Sequence, residues 1–262
     1  MRWLDRILRR PARADVDEQL GRAREAAGRR DYAMALDIWE RLARAGVARA
    51  QNNIGACFAE GLGVERDSNL ASRWMALAAA AGDAVGQRNL ASLYFRGEGV
   101  EQDYRRAAEL YRAAAGQGDG PAEDMLSWML LEGDVIEPDV NEARYWALAA
   151  AEQGIASAMT RIGMLYHNAL GVPRDPAEAT RWWRKAALRG DADGQAMLGA
   201  ACHLGAGVPS DQIEACAWLM RAEAGGSALA HRYMAAARSA LGAEEFAEAE
   251  RRATAPLPEP GP

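Results

Sequence analysis

The sequence has few of the residues that supply metal ligands, reactive thiols or a basic surface. Its 262 residues include three cysteines and three histidines, and the cysteines form no Cys-x-x-Cys pair. A sparse, odd set of cysteines is typical of reduced cytosolic thiols rather than of a disulfide framework. The net charge of −6 argues against a general nucleic-acid-binding protein, which needs a basic face.

Long apolar runs are also missing. None approaches the roughly 20 residues that a membrane-spanning helix needs. Residues 1–13 lack the apolar core and cleavage site of a secretory signal, but they place Trp3, Leu4, Ile7 and Leu8 on one helical face among arginines. We therefore expect a cytoplasmic protein. The basic segment is suited either to weak contact with the inner face of the cytoplasmic membrane or to a disordered or partner-docking role.

What the sequence does contain is one pattern repeated along most of its length. An alanine follows each aspartate of the pattern by four residues, and a glycine follows it by fifteen. The aspartates recur every 36 residues, at Asp31, Asp67, Asp103, Asp139, Asp175 and Asp211. Coincident columns without an insertion indicate a tandem array of one supersecondary unit. Such an array more often holds other molecules than performs chemistry.

Residues 84–119 show what one unit contains. Leu90, Leu93 and Tyr94 follow the three- and four-residue spacing of an amphipathic helix. After a glycine loop, Asp103 is placed to accept backbone N–H groups as the N-cap of a second helix. Each unit is therefore predicted to be an antiparallel helix pair. The whole chain is predicted to be an all-α solenoid, a right-handed superhelix with a 36-residue repeat.

Two columns that look chemical have structural explanations. Capping accounts for the aspartates and leaves no carboxylate pair for acid–base chemistry. A column of large residues is interpreted as core volume between helices. It consists of Trp74, Leu110, Trp146, Trp182 and Trp218.

The columns together follow an ordered pattern. The second unit reads Ala50, Ile54-Gly55, Phe58, Gly61-Leu62-Gly63-Val64, Asp67, Ala71, Trp74, Ala78-Ala79 and Gly82. In this pattern the chain resembles the Sel-1-like repeat family, a branch of the tetratricopeptide-like helical repeats, over about residues 15–242. The resemblance implies a solenoid whose concave wall is lined by the first helix of each pair. It also implies an adaptor role, because members of that family mostly assemble other proteins.

Domain boundaries follow from the repeat. The basic segment 1–13 precedes a solenoid over 14–252, and a proline-rich tail over 253–262 is expected to be disordered. The units are expected at about 14–47, 48–83, 84–119, 120–155, 156–191 and 192–227, with a C-terminal cap at 228–252. Val135 and Ala169 replace loop glycines, so loop 132–138 is expected to differ in shape.

One stripe of the first helices varies between copies and is the candidate binding groove. A position that changes between asparagine, arginine and aspartate is not expected to carry the scaffold. The stripe comprises Asn52, Arg88, Ser92, Phe95, Asp124, Trp128, Leu131, Thr160, Met164, His167, His203 and Arg232. Its apolar middle around Trp128, with arginine near the ends, has the composition of a protein-binding hot spot. The alternative is that Trp128 packs on a neighbouring helix.

His167 and His203 share a column in adjacent units, which raises the question of a metal. Equivalent positions on packed helices lie roughly 10 Å apart, whereas zinc ligands converge at about 2.1 Å from the ion. We therefore expect no metal and no other cofactor. Some secreted members of the resembled family carry a disulfide in each repeat. Here only Cys202 and Cys216 could pair in that way, and we do not expect the bond.

These features predict a non-catalytic scaffold or adaptor, bacterial and monomeric, that binds a protein or peptide through its concave face and binds no nucleic acid. A peripheral membrane tether through residues 1–13 is the alternative. A hydrolase of cell-wall or antibiotic substrates, an activity suggested for disulfide-rich relatives, is a remote third. The sequence shows no nucleophile–base arrangement, phosphate loop or ligand cluster for it.

Overall fold

The computed structural model describes residues 13–133 and 135–258, and within these ranges the chain forms α-helices and no strand. Residues 1–12 of the basic segment and 259–262 of the tail lie outside the described residues. The helices are α1 (Arg13–Gly28), α2 (Tyr32–Arg44), α3 (Ala48–Glu60), α4 (Ser68–Ala80), α5 (Ala84–Arg96), α6 (Tyr104–Ala115), α7 (Gly120–Glu132), α8 (Val140–Glu152), α9 (Ala156–Asn168), α10 (Pro176–Leu188), α11 (Ala192–Leu204), α12 (Gln212–Ala224), α13 (Ala230–Ser239) and α14 (Ala243–Thr254). The predicted all-α repeat of helix pairs is confirmed.

Contacts divide the chain into two compact units, residues 1–122 and 123–262, and the boundary falls in the first turn of α7. They are called unit 1 and unit 2 here. Within each unit the two helices of a repeat pack closely, as α3 does on α4 and α11 on α12. None of the described helices is both long and apolar enough to cross a membrane.

Aspartate caps start the second helix of six repeats. In each case a carboxylate oxygen accepts a hydrogen bond of 2.9–3.1 Å from the backbone N–H three residues on. The caps are Asp31, Asp67, Asp103, Asp139, Asp175 and Asp211. These bonds satisfy donors that the start of a helix leaves unpaired, and they confirm the predicted capping role.

In two repeats the loop between the two helices leaves no room for a side chain at one position. A Cβ at Gly99 would lie 1.9 Å from the carbonyl oxygen of Ser68, and a Cβ at Gly207 would lie 2.1 Å from that of Pro176. Both glycines also have positive φ, which glycine adopts without steric cost. Val135 stands in this column, next to Asp134, which lies outside the described residues.

The deepest core residues follow the tryptophan column by one position. Trp74, Trp146 and Trp182 are only half-buried, although Leu110 and Trp218 are 8% exposed. The next residues in the chain are at most 4% exposed, namely Met75, Tyr111, Ala147, Trp183 and Leu219. A helix turns about 100° per residue, so two adjacent columns share its buried face. The interpretation of the tryptophan column as core therefore holds for two of its five members.

Two helices close the C-terminal end of unit 2. Both α13 and α14 pack against α12, and Ala237 and Ala249 are fully buried there. The last helix ends at Thr254, two residues into the predicted disordered tail, and Leu257 still packs against the core of unit 2.

Candidate protein-binding groove

The polar residues of the predicted stripe hold successive repeats of unit 1 together. Asn89 Nδ2 donates to Asn52 Oδ1 at 2.8 Å, and Asn52 is 3% exposed. Arg88 Nη1 lies 3.0 Å from Asp119 Oδ2. Asp119 also accepts a hydrogen bond from the backbone N–H of Ala122 in the first turn of α7. Asn52 and Arg88 are therefore engaged within the protein.

Ser92 and Phe95, the other stripe residues of unit 1, contact the second helix of their own repeat. Burial raises the pKa of Tyr111, and a hydrogen bond between its hydroxyl and Ser92 partly offsets that shift. The Phe95 ring lies with its centroid 5.2 Å from that of Tyr104. Both stripe residues are half-buried.

The cavity beside this stripe in unit 1 is lined by small and charged side chains. It has a volume of about 390 Å³. Its lining is Ala56, Ala59, Glu60, Arg66, Met75, Asn89, Ser92, Leu93, Arg96 and Glu98. Ala56 and Ala59 offer little apolar surface, so this cavity lacks an anchor for a partner side chain.

Asp124 and Thr160 continue the polar column in unit 2. Ser157 Oγ donates to Asp124 at 2.7 Å, and Arg161 forms an ion pair with the same carboxylate. The side chains of Arg161 and Asp124 are only 13% and 16% exposed. Thr160 Oγ1 donates to Asp191 Oδ2 at 2.6 Å. The bonds of Asp124 join successive repeats, and Asp191 is the N-cap of the first helix of the next repeat.

The apolar residues of the stripe line an open cavity in unit 2, which we call the unit-2 groove. Trp128 and Leu131 are half-buried there, and Met164 is 42% exposed. The lining comprises Trp128, Leu131, Glu132, Ser157, Thr160, Arg161, Met164, Leu165, Asn168, Leu170, Asp191, Asp193, Met197 and Leu229. The volume of about 420 Å³ is within the range of roughly 300–1,000 Å³ typical of ligand pockets.

Part of the apolar lining comes from residues that the stripe did not include. Leu170 is 39% exposed and lies in the loop after α9, while Met197 and Leu229 belong to later helices or their ends. No signal in the sequence singles out Leu170, because the equivalent loop position is also leucine at Leu62 and is otherwise Glu98, Asp134 or Ala206. Met197 and Leu229 reach the groove only through the packing of successive repeats.

The groove has an acidic rim. Its carboxylates are Glu132 at the end of α7 and Asp191 and Asp193 at the start of α11. Hydroxyl groups donate to two of these carboxylates, since Ser227 Oγ lies 2.5 Å from Asp193 and Thr160 contacts Asp191. The arginine in the lining, Arg161, has its charge offset by Asp124. The groove therefore combines an apolar floor with net negative charge.

Four predicted stripe residues of unit 2 do not line the groove, namely Asp124, His167, His203 and Arg232. The His167 ring lies 5.4 Å from that of the buried Trp183, and His203 Nδ1 lies 2.6 Å from Gln212 Oε1. Arg232 is exposed on α13. Among the residues that the structure describes, no group of three or more histidine, cysteine, aspartate or glutamate side chains is placed to hold a metal ion.

The cysteines are buried free thiols. Burial raises the pKa of Cys57 and of Cys202 to about 11, and the nearby carboxylates of Glu60 and Glu214 add to the respective shifts. Both thiols are therefore protonated at neutral pH, which disfavours their use as nucleophiles or metal ligands.

Comparison with known proteins agrees with this architecture. The Sel1 repeat model matches residues 48–83, 84–119, 120–155, 156–191 and 192–227. A Sel1 repeat protein from Oxalobacter formigenes is 30% identical in sequence, with an alignment that covers 79% of this chain and 85% of that one and a TM-score of 0.73.

More distant structures and curated proteins add no argument. A protective antigen of uropathogenic Escherichia coli strains with an SLR fold is 24% identical over 85% of this chain and 63% of that one, with a TM-score of 0.38. An immunity protein from Pseudomonas aeruginosa is 19% identical over 81% and 84%, with a TM-score of 0.48. No curated protein matched. The matched copies share the period and bounds of the observed helix pairs, and the chain belongs to the Sel1 repeat family.

Proposed function

We propose that this protein is a non-catalytic, monomeric scaffold of the bacterial cytoplasm that binds a protein or peptide partner through the unit-2 groove. Sel1 repeat proteins generally bind protein partners. The groove supports the same role here, because it gathers side chains from the first helices of successive repeats. Within the solenoid, this is the wall that the family resemblance assigns to partner binding.

The observation that carries the proposal is the apolar cluster of Trp128, Leu131 and Met164. These side chains come from α7 and α9, and Met164 and Leu170 leave about two fifths of their surface exposed. Exposed apolar groups that cluster in a cavity commonly mark an interaction site. Covering them would release about 25 cal/mol for each Å² of apolar surface removed from water.

The acidic rim indicates which side chains a partner would present to the groove. Glu132, Asp191 and Asp193 surround an apolar floor, so a segment with an apolar side chain next to arginine or lysine would match both parts. Helix dipoles do not cancel this charge. Helix starts (α9 and α11) and helix ends (α7 and α9) both border the groove, and their partial charges of about +0.5 and −0.5 offset each other.

The groove offers poor material for hydrolysis. Ser157 is the serine in its lining, and the carboxylate that accepts its proton, Asp124, is also paired with Arg161. A serine nucleophile needs an adjacent general base, and no histidine stands among the residues that line the groove. The membrane tether through residues 1–13 stays a prediction, since residues 1–12 lie outside the described residues.

The test compares two tryptophan variants of the full chain. We expect the double variant Trp128→Ala, Met164→Ala to lose a partner that wild type captures in vivo by cross-linking, and to bind that purified partner more weakly by calorimetry. Trp146→Ala is the matched control, because Trp146 is also half-buried in unit 2 but lies on a second helix, α8. Equal loss in the control, at equal melting temperature, would contradict the proposal.

A further inference from the structure

A second cavity of unit 2 has the opposite charge from the groove. It has a volume of about 540 Å³ and lies between the end of α8 and one face of α10, and we call it the α10 cleft. Four cations line it: Arg181, Arg184, Lys185 and Arg189. Trp182 and Leu188, both half-buried, supply apolar surface between them.

The cations share one side of α10 because they are spaced three, four and eight residues from Arg181. Arg181 pairs with Glu178 at 2.7 Å, and its side chain is 69% exposed. Lys185 Nζ lies 4.3 Å from the centroid of the Trp182 ring. Arg189 Nη1 donates to the carbonyl oxygen of Lys185 at 3.2 Å. The Lys185 ammonium group therefore makes a cation–π contact with the face of the Trp182 ring, and this contact orients both side chains.

The local charge runs against that of the whole chain. Glu152 also lines the cleft and Glu178 pairs with Arg181, so two of the four positive charges are offset and two remain. The chain as a whole carries −6. A positive cleft on an acidic protein is a feature that average composition does not explain.

The scaffold does not require these cations. In the repeat before, the four equivalent positions hold Tyr145, Leu148, Ala149 and Gln153, and in the repeat after they hold Ala217, Met220, Arg221 and Gly225. Compensation of the helix dipole does not require them either. Both α4 and α8 end without a basic residue in the last turn and are complete helices. The cluster is therefore specific to one repeat.

We propose that the α10 cleft is a second docking surface, which binds an acidic segment of a protein partner. Arginine guanidinium groups present paired donors that match carboxylates, and Trp182 with Leu188 accommodates an apolar side chain of the same segment. A bilayer fits less well, because the tryptophan lies within a cleft and does not project from the surface. A nucleic acid fits less well too, because a phosphate backbone binds along an extended basic surface and this cleft has only two net positive charges.

The experiment measures fluorescence anisotropy with two labelled peptides, one of glutamates around a central leucine pair and one with glutamine in place of each glutamate. Wild type should prefer the glutamate peptide, and higher salt should weaken that binding. The double variant Arg184→Ala, Lys185→Ala should weaken it about tenfold, since two exposed charge contacts are lost. The control is Arg73→Ala, Arg105→Ala, which removes the same charge from exposed positions of unit 1 and should bind as wild type does.

Several outcomes would overturn the proposal. One is that wild type shows no preference for the glutamate peptide. Another is that the control double variant weakens binding equally. A third is that the cleft variant loses binding together with a lowered melting temperature, and that Arg184→Lys shows the same two losses. Sedimentation with phosphatidylserine vesicles and binding of a single-stranded oligonucleotide complete the test. If the cleft variant loses either of these while keeping the peptide, the occupant is not an acidic protein segment. The groove double variant Trp128→Ala, Met164→Ala should still bind the glutamate peptide. Failure of the groove proposal can therefore be distinguished from failure of the cleft proposal.

Discussion

The first helices of the two units use the same positions for different purposes. In unit 1 two positions of the first helices hold Ala56 and Ala59 in one repeat and Ser92 and Phe95 in the next, and the adjacent cavity is lined by small and charged side chains. In unit 2 the equivalent positions hold Trp128 and Leu131, and the cavity has an apolar floor. The caps and the buried columns of the second helices are alike in both units. A repeat scaffold can therefore present different surfaces while the same positions supply its caps and its core.

The comparison also corrects an inference from the sequence. Variation in the column of Asn52, Arg88, Asp124 and Thr160 predicts that these positions carry no scaffold. In the structure each of these residues has a hydrogen-bonding partner in the next repeat or its capping segment. Variation that keeps such a bond preserves the interface between repeats. In this column it is not evidence for a ligand.

The largest expected effect concerns the core that both units share. Trp183 is 2% exposed, its Nε1 donates to the carbonyl oxygen of Thr160 at 3.2 Å, and it stands in the column of Tyr111 in unit 1. Trp183→Ala should lower the free energy of unfolding by about 3–5 kcal/mol. Urea titration would measure it, with the half-buried Trp182→Ala as control. Equal losses would mean that burial does not distinguish these neighbouring columns.

The next effect concerns the ion pair inside unit 2. Asp124→Ala leaves Arg161 without its carboxylate and Ser157 without its acceptor in a mostly buried place, so we expect a loss of about 2–3 kcal/mol. The control is Asp37→Ala. Asp37 pairs with Arg41 while both side chains are more than 60% exposed, and the change should cost less than about 1 kcal/mol. Thermal melts would show which variant loses more stability. If the polar column were a free binding face, Asp37→Ala would cost more than Asp124→Ala.

Partner binding is the effect that should separate the units most clearly. Trp128→Ala should weaken binding of an identified partner by about 2 kcal/mol, or roughly thirtyfold in Kd. Its stability loss should be smaller than that of Trp183→Ala, because Trp128 is only half-buried. Phe95→Ala in unit 1 should leave the Kd unchanged. Calorimetry would detect the opposite pattern, which would move the binding surface to unit 1.

The smallest effect is one in which the units should not differ. Asp67 in unit 1 and Asp175 in unit 2 make the same capping bond at 2.9 Å. Replacing either by alanine should cost about 1 kcal/mol without any change in partner binding. Urea melts of the two variants would show equal shifts. A binding defect in Asp175→Ala at unchanged stability would indicate that this column has a function of its own.

Local features of the sequence determined the helix pairs. The period, the aspartate caps and the loop glycines act within about a dozen residues, so their pattern is visible without knowledge of the fold. The same pattern gave the family, and it placed Trp128, Leu131 and Met164 on one stripe. The helix pairs, the family and the stripe could be predicted from the geometry of one helix repeated at a constant interval.

Tertiary structure decided which stripe residues bond to another repeat and which line a cavity. The pairs Asn52–Asn89 and Arg161–Asp124 join residues 37 positions apart, and the groove takes Leu170, Met197 and Leu229 from three different segments. The α10 cleft likewise joins one face of α10 to the end of α8. Hydrogen bonding and burial between repeats depend on how neighbouring helices pack. A spacing rule that treats each helix alone carries no information about that packing.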